Sequence, residues 1–371
     1  DETVSESTDY EEGIYFGYGG DWGETVTDHD FCGNGLVNAD RTPSAELAEV
    51  KKVHQEVSFY DDGEAKNGQV RIVNEFLATN LQKYNISWRL LIDNGVFAKG
   101  TLTEDQKNIE PGAEATVTLE DFPVVENAAE GTDYLLEFSV TLKEDQNWAG
   151  EYSGHKGDEI AYEQFELDYD SVVPRPAIEV SEDASITAED ADDTYTVTGT
   201  DEGNAFSVTF DKSTGYITNY TVNGDTLLTE GPKPNYFRAR VSNDPNFTEE
   251  MKNAADNFAV EEFTVDAKDK VVTVHAAGTI TTLDSPQSID YTIYANGDIV
   301  VTNQFTPADN TAVGDIARIG MKMTVPQQYQ DVTYYGRGLE ENYIDRNTGS
   351  LIGVYHSTVE KLSEAAKYTR P

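Results

Sequence analysis

The chain has 371 residues, with 26 basic and 69 acidic side chains and a formal net charge of -43 at pH 7. That length accommodates two or three domains with cores of ordinary size, and that charge repels phosphate backbones and anionic lipid, so neither nucleic acid nor a membrane surface is an expected partner. One cysteine and five scattered histidines allow no disulfide within the chain and no thiolate zinc site, and no run approaches the roughly eighteen apolar residues of a membrane span.

The opening residues "DETVSESTDYEE" are the reverse of a signal peptide. With the ending "STVEKLSEAAKYTRP", which closes on no capping strand, they lead us to expect a piece of a longer protein. Residues 1–56 then hold one unit unlike the rest: a short apolar run, "GIYFGYGG", a polar loop, "DWGETVTDHDFCGNGLVNADR", and a helical segment. Thr42 as N-cap, Pro43 at the first helical position, and Leu47, Val50 and Val53 on one side predict a helix there. A strand, a loop and a helix make up the repeating step of an α/β barrel.

From residue 57 to 171 the apolar period becomes two. Ile86, Trp88, Leu90 and Ile92 alternate in "ISWRLLI" before an Asp93-Asn94-Gly95 turn, and Leu136, Phe138, Val140 and Leu142 alternate in "LEFSVTL". Short strands at this spacing predict a β-sandwich of immunoglobulin-like size. The stretch "VVPRPAIEV" carries two prolines and reads as a linker. Beyond it, "SEDASITAEDADDTY" reads as a solvated loop or tether; its carboxylates suit a hard cation, but the spacing of a calcium loop is missing. The remainder of 172–371 reads as a second, larger antiparallel sandwich with Asn223-Gly224 and Asn296-Gly297 as hairpin turns.

Three ordered motifs carry a resemblance. "YGGDWGE" with "FCGNGLVNADRTP", "FRARVSND" at 237–244, and "YYGRGLEENYIDRNTGSLIGVY" at 334–355 are similar, in that order, to segments of the large β-galactosidases of glycoside hydrolase family 2. The resemblance implies a mainly β fold class: a single βα unit from a TIM barrel, an Ig-like β-sandwich, and a galactose-mutarotase-like supersandwich cut short at its C-terminus. The corresponding spans are 1–56, 57–171 and 172–371. It implies a parent enzyme that hydrolyses terminal β-D-galactosides with retention, through two glutamates on earlier barrel strands. No catalytic residue is assigned here, and the fragment alone is expected to be inactive; Glu11, Glu12 and Glu24 read as surface.

What the resemblance carries over is a wall of the sugar site. It gives a sodium ion the backbone carbonyl of Phe31 and the side-chain oxygen of Asn34; magnesium is expected in the parent, with ligands outside this chain. From the residues alone, Phe31 reads rather as packing at a barrel mouth and Asn34 as a turn residue, and it is the motif match that favours the ion site. Cys32 reads as a small buried hydrophobe, and His29 stands where well-known family members have arginine. Asp21 and Trp22 sit where a barrel strand end faces its cleft, although Trp22 reads equally as core. Asn243 and Asp244 read as braces of their own loop. Glu341, Asn342, Asp345 and Arg346 read as a polar network built on Arg–carboxylate pairing.

The expected partners are a β-galactoside for the parent enzyme and, at an edge left by a cut sandwich, a complementary chain or a homo-oligomer. The acidity suits the outside or surface of a bacterial cell, with the cytoplasm as the alternative. The competing function is a non-catalytic carbohydrate-binding or adhesive β-sandwich, which would display aromatic side chains along one sheet face.

Overall fold

In the computed structural model, which describes residues 19–28, 36–37, 41–151, 153–238, 249–308 and 316–363, the first regular element is helix α1, Ala45–Val53. The strand expected before it falls outside the described residues, except for its last glycines. α1 starts two residues later than Thr42 and Pro43 predict: Ser44 is the N-cap, and its hydroxyl does not cap the helix. It donates instead to the carbonyl of Leu36 at 3.0 Å, as does the Ser44 N–H at 3.2 Å, while Val37 bridges Pro43. Closing the incoming loop thus takes precedence over capping, and Pro43 is spent in the closure.

The next seven strands are β1 (Val57–Tyr60), β2 (Gln69–Asn74), β3 (Tyr84–Ile92), β4 (Gly95–Thr101), β5 (Glu114–Thr118), β6 (Tyr134–Leu142) and β7 (Glu159–Glu166). They form two antiparallel sheets, β1-β2-β5 and β4-β3-β6-β7. The alternation read in the sequence is the inward face: Ile86, Trp88 and Leu90 of β3 and Leu136, Phe138, Val140 and Leu142 of β6 are buried in one core with Phe59, Ile72 and Val117 of the other sheet. Phe59 stacks on Phe138 across the sheets with centroids 4.7 Å apart. Asp93 and Asn94 turn β3 into β4 with positive φ at both positions, a conformation their short polar side chains tolerate.

The proline-bearing stretch is tacked down at its start. Val172 and Val173 donate to the carbonyl of Ala128, and Glu130 donates back to Val173. The chain passes from one compact unit to the next between Arg175 and Pro176.

The second unit, 176–329, holds β8 (Ser185–Asp190), β9 (Thr194–Asp201), β10 (Asn204–Asp211), β11 (Tyr216–Val222), β12 (Asp225–Leu228) and β13 (Glu230–Asn235). A single turn of helix, α2 (Glu249–Lys252), is followed by β14 (Phe258–Lys268), β15 (Val271–Ile280), β16 (Ser285–Tyr294), β17 (Ile299–Phe305) and β18 (Gly320–Thr324). An antiparallel sheet β12-β11-β10-β9-β8 and another, β14-β15-β16-β17, share a core of Val197, Val208, Phe210, Val274, Ile289 and Tyr291, and β13 pairs with β18. The acidic stretch read as a loop carries an edge strand, β8, at its centre, while 181–184 and 191–193 lie outside regular structure. β8 pairs along its length with β9, Ile186 packs against the core, and hydroxyl pairs Ser185–Thr200 and Thr187–Thr198 line the ladder. Pairing with β9 and the packing of Ile186 outweigh composition, and charged side chains on an edge are a usual guard against unwanted strand pairing.

The last described elements return to the first unit. β19 (Asp331–Gly338) and β20 (Leu351–Thr358) form an antiparallel hairpin, followed by α3 (Val359–Ser363). Sequence order alone would leave this hairpin with the region after residue 172; side-chain bonds from β7 gather it into the first unit instead.

Candidate functional site

The N-terminal motif is described in two pieces. In the first, the turn Gly19–Glu24 is closed by Gly23 N–H to Gly20 O at 3.2 Å and by Trp22 N–H to the Glu24 carboxylate at 3.1 Å. Backbone N–H groups, that of Glu24 itself first and then those of Gly20 and Trp22, hold the Glu24 carboxyl below its usual range. The Glu24 carboxylate thus anchors its own turn through the Trp22 N–H. Trp22 is 73% exposed. Glu11, Glu12, His29, Phe31, Cys32, Asn34, Asn243 and Asp244 lie outside the described residues.

The second piece is the return of the loop at Leu36 and Val37, seated on Ser44 and Pro43 as described above. From there the network is built by α1. Glu46 and Glu49, three apart, lie on one helix face. Glu49 accepts the N–H groups of Thr348 and Gly349 at 3.2 and 2.6 Å. Glu46 pairs with Arg346, whose other terminal nitrogen donates to Glu341 at 3.1 Å. Burial works against the Glu46 charge, but its own N–H and Arg346 together hold the carboxyl below its usual range. Arg346 itself is presented by a tight turn in which Tyr343 and Arg346 exchange backbone hydrogen bonds.

The Arg–carboxylate pairing read from "EENYIDR" is therefore present, but only in part as expected. Glu341 and Arg346 meet. Asn342 bonds instead to the carbonyls of Arg337 and Glu340, at 3.5 and 3.3 Å, and Asp345 is exposed. The second partner, Glu46, lies 300 residues away in sequence, and nothing local signals it.

Sequence reasoning also missed the supports. Lys52 is buried and donates to Glu163 at 2.8 Å and to the Tyr162 carbonyl. Gln55 accepts the Tyr162 N–H at 3.1 Å. The Tyr162 hydroxyl donates to Gly349 O at 2.8 Å, and its pKa is pushed up to about 12, by burial first and then by Glu159, Glu49 and Glu163. On the outward face of the sandwich, Gln164 makes a two-way bond with the backbone of Ile352, both at 2.8 Å, and also donates to Glu137, which is paired with Arg89. Asn94 accepts the N–H of Val354 at 3.1 Å, and Arg337 donates to the carbonyl of Ser350 at 3.0 Å. Beside α1 runs an open groove of about 900 Å³ lined mainly by Leu47, Val50, Phe76, Tyr84, Trp148 and Ile160. Among the described residues, no three His, Cys, Asp or Glu side chains come together as a metal site.

Two sheets stitched to helix α1 by polar side chains define the build of the first unit, a β-sandwich with an attached helix and hairpin. Residues 1–59 match the model for the TIM barrel domain of glycosyl hydrolases family 2, residues 70–168 that for domain 4 of β-galactosidase, and residues 202–371 that for the β-galactosidase small chain. The chain is 32% identical over 365 residues to a β-galactosidase of Priestia megaterium, covering 96% of this chain and 33% of that protein. It is 30% identical over 355 residues to the β-galactosidase of Lactobacillus delbrueckii subsp. bulgaricus, covering 93% and 32%. A β-galactosidase of Halalkalibacterium halodurans is 26% identical over 367 residues. The chain belongs to glycoside hydrolase family 2, among the β-galactosidases, and spans about a third of the length of the curated relatives it matches.

Proposed function

We propose that these residues serve a retaining β-galactosidase as one wall of its sugar site and as the sandwich frame behind that wall. The reading is supported by the order of the three family matches along one chain, barrel first and small-chain region last. Retaining hydrolysis needs two carboxyl groups about 5 Å apart, one as nucleophile and one as acid and base. In this proposal both come from barrel residues outside the 371, and the present chain contributes Phe31 and Asn34.

A backbone carbonyl and an amide oxygen form a neutral, hard donor set that suits an alkali cation, so Phe31 and Asn34 would hold sodium. The bound ion would supply a fixed positive charge for a sugar hydroxyl; magnesium, in this reading, takes its ligands from elsewhere in the parent. The substrate is a terminal β-galactoside.

The test has two arms. Assayed alone with a nitrophenyl β-galactoside, the chain should show background turnover. Joined to the preceding part of the Priestia megaterium relative, it should support cleavage that Asn34→Ala weakens through KM. Turnover by the chain alone would place the reacting carboxylates within it, and a soluble joined protein without turnover would remove the galactosidase reading.

A further inference from the structure

The contacts between α1 and the segment 341–350 give that segment a role beyond holding a hairpin. Arg346 is paired on both sides, with Glu46 in the first turn of α1 and with Glu341. One turn further along the helix, Glu49 takes two successive N–H groups, those of Thr348 and Gly349. Gly349 lies so close to α1 that a Cβ on it would stand 3.0 Å from the Glu49 carboxylate, 3.1 Å from Ala48 O and 3.2 Å from Glu49 Cα. The segment therefore grips the helix from its first turn to its second by charge, by backbone bonds and by direct backbone approach. Immediately before that grip, Ser44 holds the Leu36 carbonyl with both its N–H and its hydroxyl. Leu36 follows Gly35, the last residue of "FCGNG".

Energetics separate a positioning role from a purely stabilising one. Arg346 and Glu46 are 25% and 45% exposed, and Glu341 is 66% exposed. Ion pairs at that exposure contribute little to stability. What a planar guanidinium held between two carboxylates does supply is direction, because its donors form a rigid fork.

We infer that Arg346 is a positioning residue: with Glu49 and Gly349 behind it, it fixes the start of α1 and thereby the Ser44–Leu36 closure from which the sugar-site loop departs. This rests on the reading of Phe31 and Asn34 as that wall. Loss of the Arg346 fork leaves the sandwich intact and loosens the Ser44–Leu36 closure. The consequence for an enzyme is weaker substrate capture with little change in the chemical step, since the group acts on binding geometry.

Hydrogen exchange on the 371-residue chain tests the clamp without catalysis. Arg346→Ala should speed exchange of the Ser44 amide by about tenfold while β3 and β6 amides keep their protection. Arg346→Lys should recover part of that loss, and Gly349→Ala, which pushes on Glu49, should act in the same direction as Arg346→Ala. Ser44 exchange unchanged in Arg346→Ala would overturn the inference.

The second readout uses the joined, galactoside-cleaving protein. Arg346→Ala should raise KM for a nitrophenyl β-galactoside by about fivefold with kcat within about twofold. An unchanged KM beside faster Ser44 exchange would show that the clamp does not reach the sugar, and would overturn that half. A wild-type joined protein without turnover would count against the proposed function alone, leaving the exchange result to judge the clamp.

Discussion

The sandwich of residues 57–171 and the attachment of α1 and the β19–β20 hairpin to it are held by opposite means. The sandwich rests on apolar burial: its core residues come from both sheets and need no partner beyond one another. The attachment rests on named polar contacts, namely Gln164 and Asn94 to β20, Glu49 to Thr348 and Gly349, Arg346 to Glu46, and Lys52 to Glu163. Burial is tolerant of exact partner and strong in total. Directed hydrogen bonds are weaker one by one, but they fix register and orientation. A frame is thus built by the first kind of force and aimed by the second.

The contrast is broken most severely from the apolar side. Phe138 is 2% exposed and stacked on Phe59, so Phe138→Ala should cost about 3–5 kcal/mol in urea unfolding of the first unit. A loss below about 1 kcal/mol would mean that the two sheets do not depend on this contact.

An intermediate effect is expected at the attachment. Gln164→Ala removes both bonds to Ile352 and strands that residue's N–H and C=O, for about 1–3 kcal/mol. The loss should be local: limited proteolysis should cut within 339–350, while the unfolding midpoint of the sandwich core stays in place. A global shift without faster cutting would show that the hairpin and the sandwich unfold as one.

The smallest effect belongs to pH. The folded Glu46 carboxyl lies below its ordinary value of 4.5, so its contribution is fully present above that value and drains away as pH falls through the lower folded one. Solvent screening keeps it to about 0.5 kcal/mol. Glu46→Gln should lower stability at neutral pH by about 0.5 kcal/mol and leave the acid end nearly unchanged, so that the acid side of the thermal-stability profile flattens slightly; equal slopes in both proteins would show that the pair with Arg346 carries no titratable energy. At the other end of the scale, Tyr162 has a raised pKa, so its contribution is present below the ordinary tyrosine range and is lost as pH rises through about 12.

Legibility followed the same division of forces. Alternation in β3 and β6 could be read directly because burial on one face writes a period of two into the chain. The Asp93–Asn94 turn could be read because few side chains accept positive φ at two successive positions. The edge strand β8 was obscured by its charges, Glu189 and Asp190, which are exposed at its end and say nothing of its pairing. Glu46, Glu49, Gln164 and Lys52 were invisible as a group, since each is an ordinary polar residue until the topology brings β7, α1 and the 341–350 segment together. Arg346 drew notice within its motif, yet only one of its two carboxylates is local.

The amide of Gln164 has a wider consequence. In a longer sheet, the outward N–H and C=O of Ile352 would be met by a neighbouring strand; here a single side chain meets both, and Asn94 covers the next N–H at Val354. A foreign peptide seeking to extend the sheet at β20 would first have to evict two amides already satisfied there. That margin is sealed chemically rather than sterically, and a leucine in place of Gln164 would reopen it to recruitment while filling nearly the same volume.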